Sequence, residues 1–163
     1  MFPQRKHIRL RDFDYSSANA YFITVCVKQF LPSLGSIKNS ICGLSEIGND
    51  VAIRLQNIPL LYPYVLLDEF IVMPNHFHVI LIITKHDGPY IGNRFQKPVA
   101  GSVSMMINGA KGATTKWCAA NNYWFDWQDK FYDRVIRNEK EYWAIKNYII
   151  NNPRNWHNDR FYT

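Results

Sequence analysis

The run His76-Phe77-His78 places two imidazoles on either side of one aromatic residue. On an extended strand side chains alternate between faces, so both histidines share one face and Phe77 takes the other. Neighbouring imidazoles on one face can converge on a single divalent cation, since neutral imidazole ligates Zn²⁺ and also serves Mn²⁺-type sites. Two hydrogen-bonded core histidines would give the same pattern. A second pair lies near the end of the chain, where Tyr148 and Asn152 are four residues apart. That spacing puts both on one face of a helix, so a phenol and a carboxamide can point at one site. Alternatively, Tyr148 packs on a sheet and Asn152 caps the helix before Pro153. If the two pairs meet, the chemistry they offer is phosphoryl transfer. A metal at the histidines would polarise a phosphoryl oxygen, and the tyrosine would attack phosphorus to form a covalent phosphotyrosine. An ordinary phenol titrates near ~10, so such a nucleophile needs a cation or a base beside it.

The elements that must position these residues can be read along the chain. Tyr21 to Val27 is rich in β-branched and aromatic residues and reads as a strand. Phe30 to Cys42 holds Pro32, Gly35 and scattered serines, which makes a loop with room for a short hairpin. Ser45 can cap a helix running to about Asn57, with Ile47, Val51 and Leu55 on one face and Pro59 ending it. Val65 to Met73 and His76 to Thr84 are strands joined by the turn signal Pro74-Asn75. The second of them is apolar on both faces beyond its start, which predicts a central place in a sheet. Lys85 to Ala100 is a long loop without periodicity. Ser102 to Asn121 reads as a helix, with Gly109 and Gly112 either softening it or allowing close packing. An aromatic loop, Trp124 to Gln128, leads to a strand from Phe131 to Ile136. Asn138 with Glu141 opens a final helix in a capping-box-like pattern, and Pro153 closes it.

The order predicts an α+β fold. It is a ferredoxin-like (RRM-like) antiparallel sheet, βαββαβ, with an added C-terminal helix that carries Tyr148. The chain reads as one domain over residues 1–163. The first two helices would cover one face of the sheet and leave the other for the last helix. There His76, His78, Tyr148 and Asn152 can meet.

Composition narrows the function classes. At 163 residues, 47% hydrophobic and 20% charged, the chain is neither a disordered tail nor a fibre. No apolar run approaches the ~20 residues of a membrane helix, and the charged start lacks the apolar core of a secretory signal. A soluble cytoplasmic protein is expected. Cys26, Cys42 and Cys118 are odd in number and widely spaced, which suits buried, reduced thiols. The net charge of +6 and the 15% aromatic content together suit single-stranded nucleic acid. Arg5, Lys6, His7, Arg9 and Arg11 form a basic arm that is either solvated or in contact with phosphates. Arg134, Arg137, Lys140 and Lys146 flank the last strand and helix and could meet phosphates or simply line a solvated face. Lys111 and Lys116 could line a basic groove from the second helix. Trp124, Phe125 and Trp127 could stack on bases or fill the core.

Three ordered motifs resemble one family. The run Asp68-Glu69-Phe70-Ile71-Val72-Met73-Pro74-Asn75-His76-Phe77-His78 resembles the strand-turn-strand signature of the single-tyrosine HUH transposases, whose metal motif is H-hydrophobic-H. Trp127-Gln128-Asp129-Lys130-Phe131-Tyr132-Asp133 is similar to their WQ-x-x-F-Y/W-(D/E) stretch, and Tyr148-Ile149-Ile150-Asn151-Asn152-Pro153 to their Y-I-x-x-N-P signature. Asp14-Tyr15-Ser16 with Tyr21-Phe22-Ile23-Thr24 fits the N-terminal strand, so the resemblance runs from about Arg9 to Trp156. It is greatest to the REP-associated tyrosine transposases. The resemblance implies that Tyr148 is the nucleophile and that His76 and His78 bind a catalytic Mg²⁺ or Mn²⁺. It also implies that Asn152, or its neighbour Asn151, supplies a third ligand. The implied substrate is single-stranded DNA bearing a hairpin, and the implied assembly is a monomer or a homodimer. Two other classes remain in view. An RRM-like binder without catalysis would need exposed aromatics on its central strands. A metal-dependent hydrolase of small phosphoesters would bring a carboxylate cluster, which the sequence does not show.

Overall fold

The computed structural model describes residues 19–84 and 102–163. The basic arm, the run Asp14-Tyr15-Ser16 and the loop at 85–100 lie outside them. The described elements are β1 (Ala20–Cys26), β2 (Gly35–Lys38), β3 (Ile41–Leu44), α1 (Glu46–Gln56) and α2 (Ile58–Leu61). They continue with β4 (Val65–Val72), β5 (His76–Ile83), α3 (Val103–Ala120), β6 (Tyr132–Ile136) and α4 (Glu139–Asn151). Four strands form an antiparallel sheet in the order β4-β5-β1-β6, so β5 is central as its two-sided apolar pattern predicts. This is the ferredoxin-like arrangement with an added C-terminal helix.

The period of two sorts the central strands. Tyr21, Ile23 and Val25 of β1 and Phe77, Val79 and Leu81 of β5 point to one face. There they pack with Ile47, Val51 and Leu55 of α1 and Val103, Met106 and Ile107 of α3 in the main core. The alternate residues Phe22, Ile80 and Ile82 face α4, where they pack with Tyr142, Ile145 and Ile149. His76 and His78 belong to this second set, so the helix that carries Tyr148 covers the face that carries the histidines.

One irregularity in β4 serves both faces. Leu67 pairs with Leu81 and Phe70 with Val79, so Asp68 and Glu69 together oppose Ile80 in a bulge. Three residues apart, Leu67 and Phe70 would lie on opposite faces of a regular strand. The bulge returns both to the main core and turns Asp68 toward α4.

Local signals account for most boundaries. Ser45 Oγ accepts from Gly48 N at 3.1 Å, Ser102 Oγ from Met105 N at 3.3 Å, and Asn138 Oδ1 from Glu141 N at 2.8 Å. The room left for a hairpin after Phe30 is taken by β2 and β3, whose turn residues Asn39 and Ser40 have φ of 50° and 61°. Pro59 does not simply end a helix. It sits in the first turn of α2, where its missing N–H costs nothing. Gly109 and Gly112 face open space on a continuous α3, so close packing is not their reason. The three cysteines are thiols, with Cys26 and Cys118 buried and Cys42 only partly so.

Gly48 answers to a closer constraint. A Cβ there would lie 2.0 Å from the Leu34 carbonyl oxygen, where the chain from the 3-10 turn passes the start of α1. Ser45 N also donates to that carbonyl at 2.9 Å, so it cannot move freely. Gly48→Ala is expected to destabilise the fold by about 1–3 kcal/mol, the usual range for overpacking, read from the denaturant midpoint.

Candidate active site

His76 and His78 are fully buried at the start of β5, and their Nε2 atoms face each other at 3.1 Å. Each Nδ1 is committed elsewhere. His76 Nδ1 lies 2.9 Å from Asn75 Oδ1, and His78 Nδ1 lies 2.7 Å from Thr24 Oγ1 on the neighbouring strand. The orientation of Asn75 is set by its amide nitrogen, which donates to the carbonyls of Phe161 at 2.8 Å and Phe30 at 3.2 Å. Its oxygen is therefore the end that meets His76, which makes Nδ1 the protonated nitrogen and leaves a lone pair on Nε2. The Thr24 hydroxyl can donate or accept, so His78 keeps both tautomers open.

Both imidazoles are held neutral. Burial lowers His76 to about 4, opposed by the nearby Asp159 carboxylate. Burial also pushes His78 well below its ordinary value, reinforced by His76 and Arg160. Neutral imidazole is the form that ligates metals. His76, His78 and Asp159 bring one ligand atom each to within 4.8 Å of one another, a cluster that could hold a metal ion. Asn152 is buried beside it. Its Nδ2 donates to Asp159 Oδ2 at 2.7 Å, and its Oδ1 is a buried acceptor with no hydrogen-bond partner. Buried polar atoms are nearly always satisfied, and a bound ion is one regular explanation for an exception. Two imidazoles whose Nε2 atoms face each other, a carboxylate and an orphaned carbonyl oxygen fit a divalent cation.

Tyr148 completes the group from α4. Its hydroxyl lies 3.3 Å from His78 Nε2 and donates to Asp159 Oδ2 at 3.2 Å. The residue is 41% exposed, so it is not a tyrosine packed into the core. Asn152 does occupy the C-cap position, but its side chain reaches Asp159 and does not cap the helix. Burial, then Asp159, pushes the Tyr148 phenol up to about 12. Beside it opens a cleft of about 320 Å³ lined by Phe22, His78, Tyr148 and Arg160. All four expected residues, His76, His78, Tyr148 and Asn152, are therefore brought together within one chain.

Asp159 and Arg160 were not singled out in the sequence. They follow a short 3-10 turn at Trp156–Asn158, in a stretch without periodicity or motif. The tail is fixed by contacts no local pattern encodes. Trp156 and Phe161 pack with Cys26 and Met73, and the Phe161 ring lies 4.5 Å from that of His76.

Most of the basic residues have other duties. Lys146 Nζ donates to Asp68 Oδ1 at 2.8 Å and to Tyr142 OH at 3.3 Å, and Tyr142 OH donates to Asp68 Oδ2 at 2.6 Å. These bonds tie α4 to the bulge of β4. Asp68→Ala removes both hydrogen bonds to this carboxylate and is expected to raise amide hydrogen exchange over α4 by at least roughly tenfold, with α1 and α3 unchanged. Lys111 Nζ donates to the Gln128 carbonyl at 2.8 Å, and Arg134 pairs with Glu141. Lys116, Arg137 and Lys140 are exposed. In the aromatic loop Phe125 and Trp127 are core residues, while Trp124 is 78% exposed. On the α4-facing side of β1 and β5 Phe22 is the one Phe, Tyr or Trp residue, so these central strands do not form the stacking platform of an RRM.

The fold is like that of a solved tyrosine transposase. A solved structure of a REP-associated tyrosine transposase bound to a REP hairpin matches with a TM-score of 0.63 and 20% identity, covering 96% of this chain and 74% of that one. In sequence, the chain belongs to one family with a Haemophilus influenzae protein described as uncharacterized, 38% identical over 167 residues, covering 97% of this chain and 93% of that protein. No family model matches the chain. Among the described residues no helix is long and apolar enough to cross a membrane.

Proposed function

We propose that the protein is a single-tyrosine HUH transposase that cleaves and rejoins hairpin-bearing single-stranded DNA in the cytoplasm. The observation that carries this reading is the Tyr148 hydroxyl, 3.3 Å from His78 Nε2 at the mouth of a cleft. The choice of DNA draws on the transposase of like fold, which is bound to a REP hairpin.

His76, His78 and Asn152 would hold a Mg²⁺ or Mn²⁺ ion, with Asp159 beside them. When bound, that ion supplies Lewis-acid polarisation of a phosphoryl oxygen. The chain's own residues do the rest. Tyr148 Oη attacks phosphorus, forming a P–O bond to the phenol as the bond from phosphorus to the 3′ oxygen breaks. The phenolic proton leaves toward Asp159 Oδ2, which already accepts its hydrogen bond. The departing 3′ oxygen takes a proton from water. The product is a 5′-phosphotyrosine and a free 3′-OH. A later 3′-OH reverses the exchange and rejoins the strand, so no nucleotide cofactor is consumed. With its phenol pushed up to about 12, Tyr148 is protonated at rest. It becomes reactive only when positive charge gathers beside it.

The test uses single-stranded oligonucleotides with candidate hairpins from DNA flanking the gene, incubated with Mg²⁺ or Mn²⁺. A denaturation-resistant protein–DNA adduct that forms only with metal supports the proposal. Tight binding with no adduct across a broad hairpin set would replace it with a non-catalytic binder of single strands.

A further inference from the structure

We propose that Arg160 is a catalytic residue that binds the scissile phosphate in the cleft beside Tyr148, a role resting on the function proposed above. Arg160 lines the cleft together with Phe22, His78 and Tyr148. Its guanidinium lies 4.5 Å from the centre of the Phe161 ring and 5.4 Å from that of Tyr132. Two aromatic rings thus hold the group in place without using its N–H donors. It makes no hydrogen bond or ion pair with another described residue.

The neighbouring charges are committed differently. Asp159 precedes Arg160 in the chain, yet its oxygens accept from Tyr148, Asn152 and the Phe161 amide. Its carboxylate is turned to these three donors, and no ion pair joins it to the guanidinium. Arg134 pairs with Glu141, and Lys146 is tied to Asp68. Arg134 and Lys146 are thus engaged, while Arg160 lines the cleft beside the nucleophile.

A pre-oriented guanidinium of this kind is suited to a phosphodiester. Its planar fork gives two parallel hydrogen bonds to the non-bridging oxygens, and phosphoryl transfer gathers negative charge on those oxygens. The histidine cluster and Arg160 flank Tyr148, so a phosphate lying in the cleft beside Tyr148 would be within reach of the guanidinium. Phe22 adds an aromatic surface for the adjoining base.

The test is single-turnover adduct formation with saturating hairpin DNA and Mn²⁺, comparing the wild type with Arg160→Ala, Arg160→Lys and Arg160→Gln. Arg160→Ala is expected to slow the adduct by about 10²–10³-fold, the loss typical of one preorganised donor to a transition-state oxygen. Hairpin affinity, measured in a Tyr148→Phe background, should change far less. Arg160→Lys should recover part of the rate, and added guanidinium should partly rescue Arg160→Ala. Arg160→Gln keeps a polar side chain without the charge, so a slow Gln variant with wild-type thermal stability separates the charge from packing. Wild-type adduct with rates within threefold in all variants would overturn the role of Arg160 and leave the proposed function standing. Equal slowing in every variant with no guanidinium rescue would make it a packing residue and overturn the role too. Absence of a wild-type adduct on all substrates would overturn the proposed function first, and this assignment with it.

Discussion

Replacing Tyr148 by phenylalanine is expected to abolish the covalent adduct, a loss of at least about 10³-fold in single-turnover cleavage, while leaving hairpin and metal binding near wild type. The substitution removes one oxygen and leaves the ring. That ring is half exposed, and its edge lies against Phe22, with centroids 6.4 Å apart. Fold stability should therefore change little. What disappears is the atom 3.3 Å from His78 Nε2 and 3.2 Å from Asp159 Oδ2. Cleavage persisting in Tyr148→Phe, mapped by mass spectrometry of the adduct, would assign the nucleophile elsewhere.

His76→Ala and His78→Ala are expected each to lower divalent-metal affinity by more than about 100-fold, the upper end for changes one shell further out. Adduct formation at limiting metal should fall with it. Thr24→Val tests that outer shell directly. It removes the hydroxyl 2.7 Å from His78 Nδ1 without touching a ligand atom, and a loss of about 10–100-fold is expected. Titration calorimetry with Mn²⁺ measures all three, with circular dichroism confirming the fold. Unchanged Mn²⁺ affinity in both histidine variants would remove the metal from this site.

What the sequence made legible follows from the range of the physical rule behind each feature. Strand parity acts over two residues, so His76 and His78 could be placed on one face and Phe77 on the other. Helix periodicity acts over four, so Tyr148 and Asn152 could be paired. Caps act over three, and Ser45, Ser102 and Asn138 mark their helices as expected. The features missed depend on contacts between distant segments. Asp159 reaches Tyr148 because Trp156 and Phe161 pack beneath the sheet's end, which no local rule encodes. Lys146 reads in sequence as a phosphate contact or part of a solvated face, and its bond to Asp68 is hidden because that residue lies 78 positions away in a bulge that breaks the alternation of β4. Asn75 looked like an ordinary turn residue. Its burial and its bonds to Phe30, Phe161 and His76 emerge only once the tail is in place.

The two-sidedness of β5 carries a consequence for quality control. The same strand supplies Phe77, Val79 and Leu81 to the main core and His76 and His78 to the opposite face. A slip of one residue against β1 would exchange the two sets, driving both imidazoles into oil and leaving Phe77 where the histidines belong. Misregistered chains would thus lose hydrophobic burial and the proposed metal-binding pair together. On that proposal, stoichiometric metal uptake would count correctly threaded molecules in a preparation, independently of any DNA substrate.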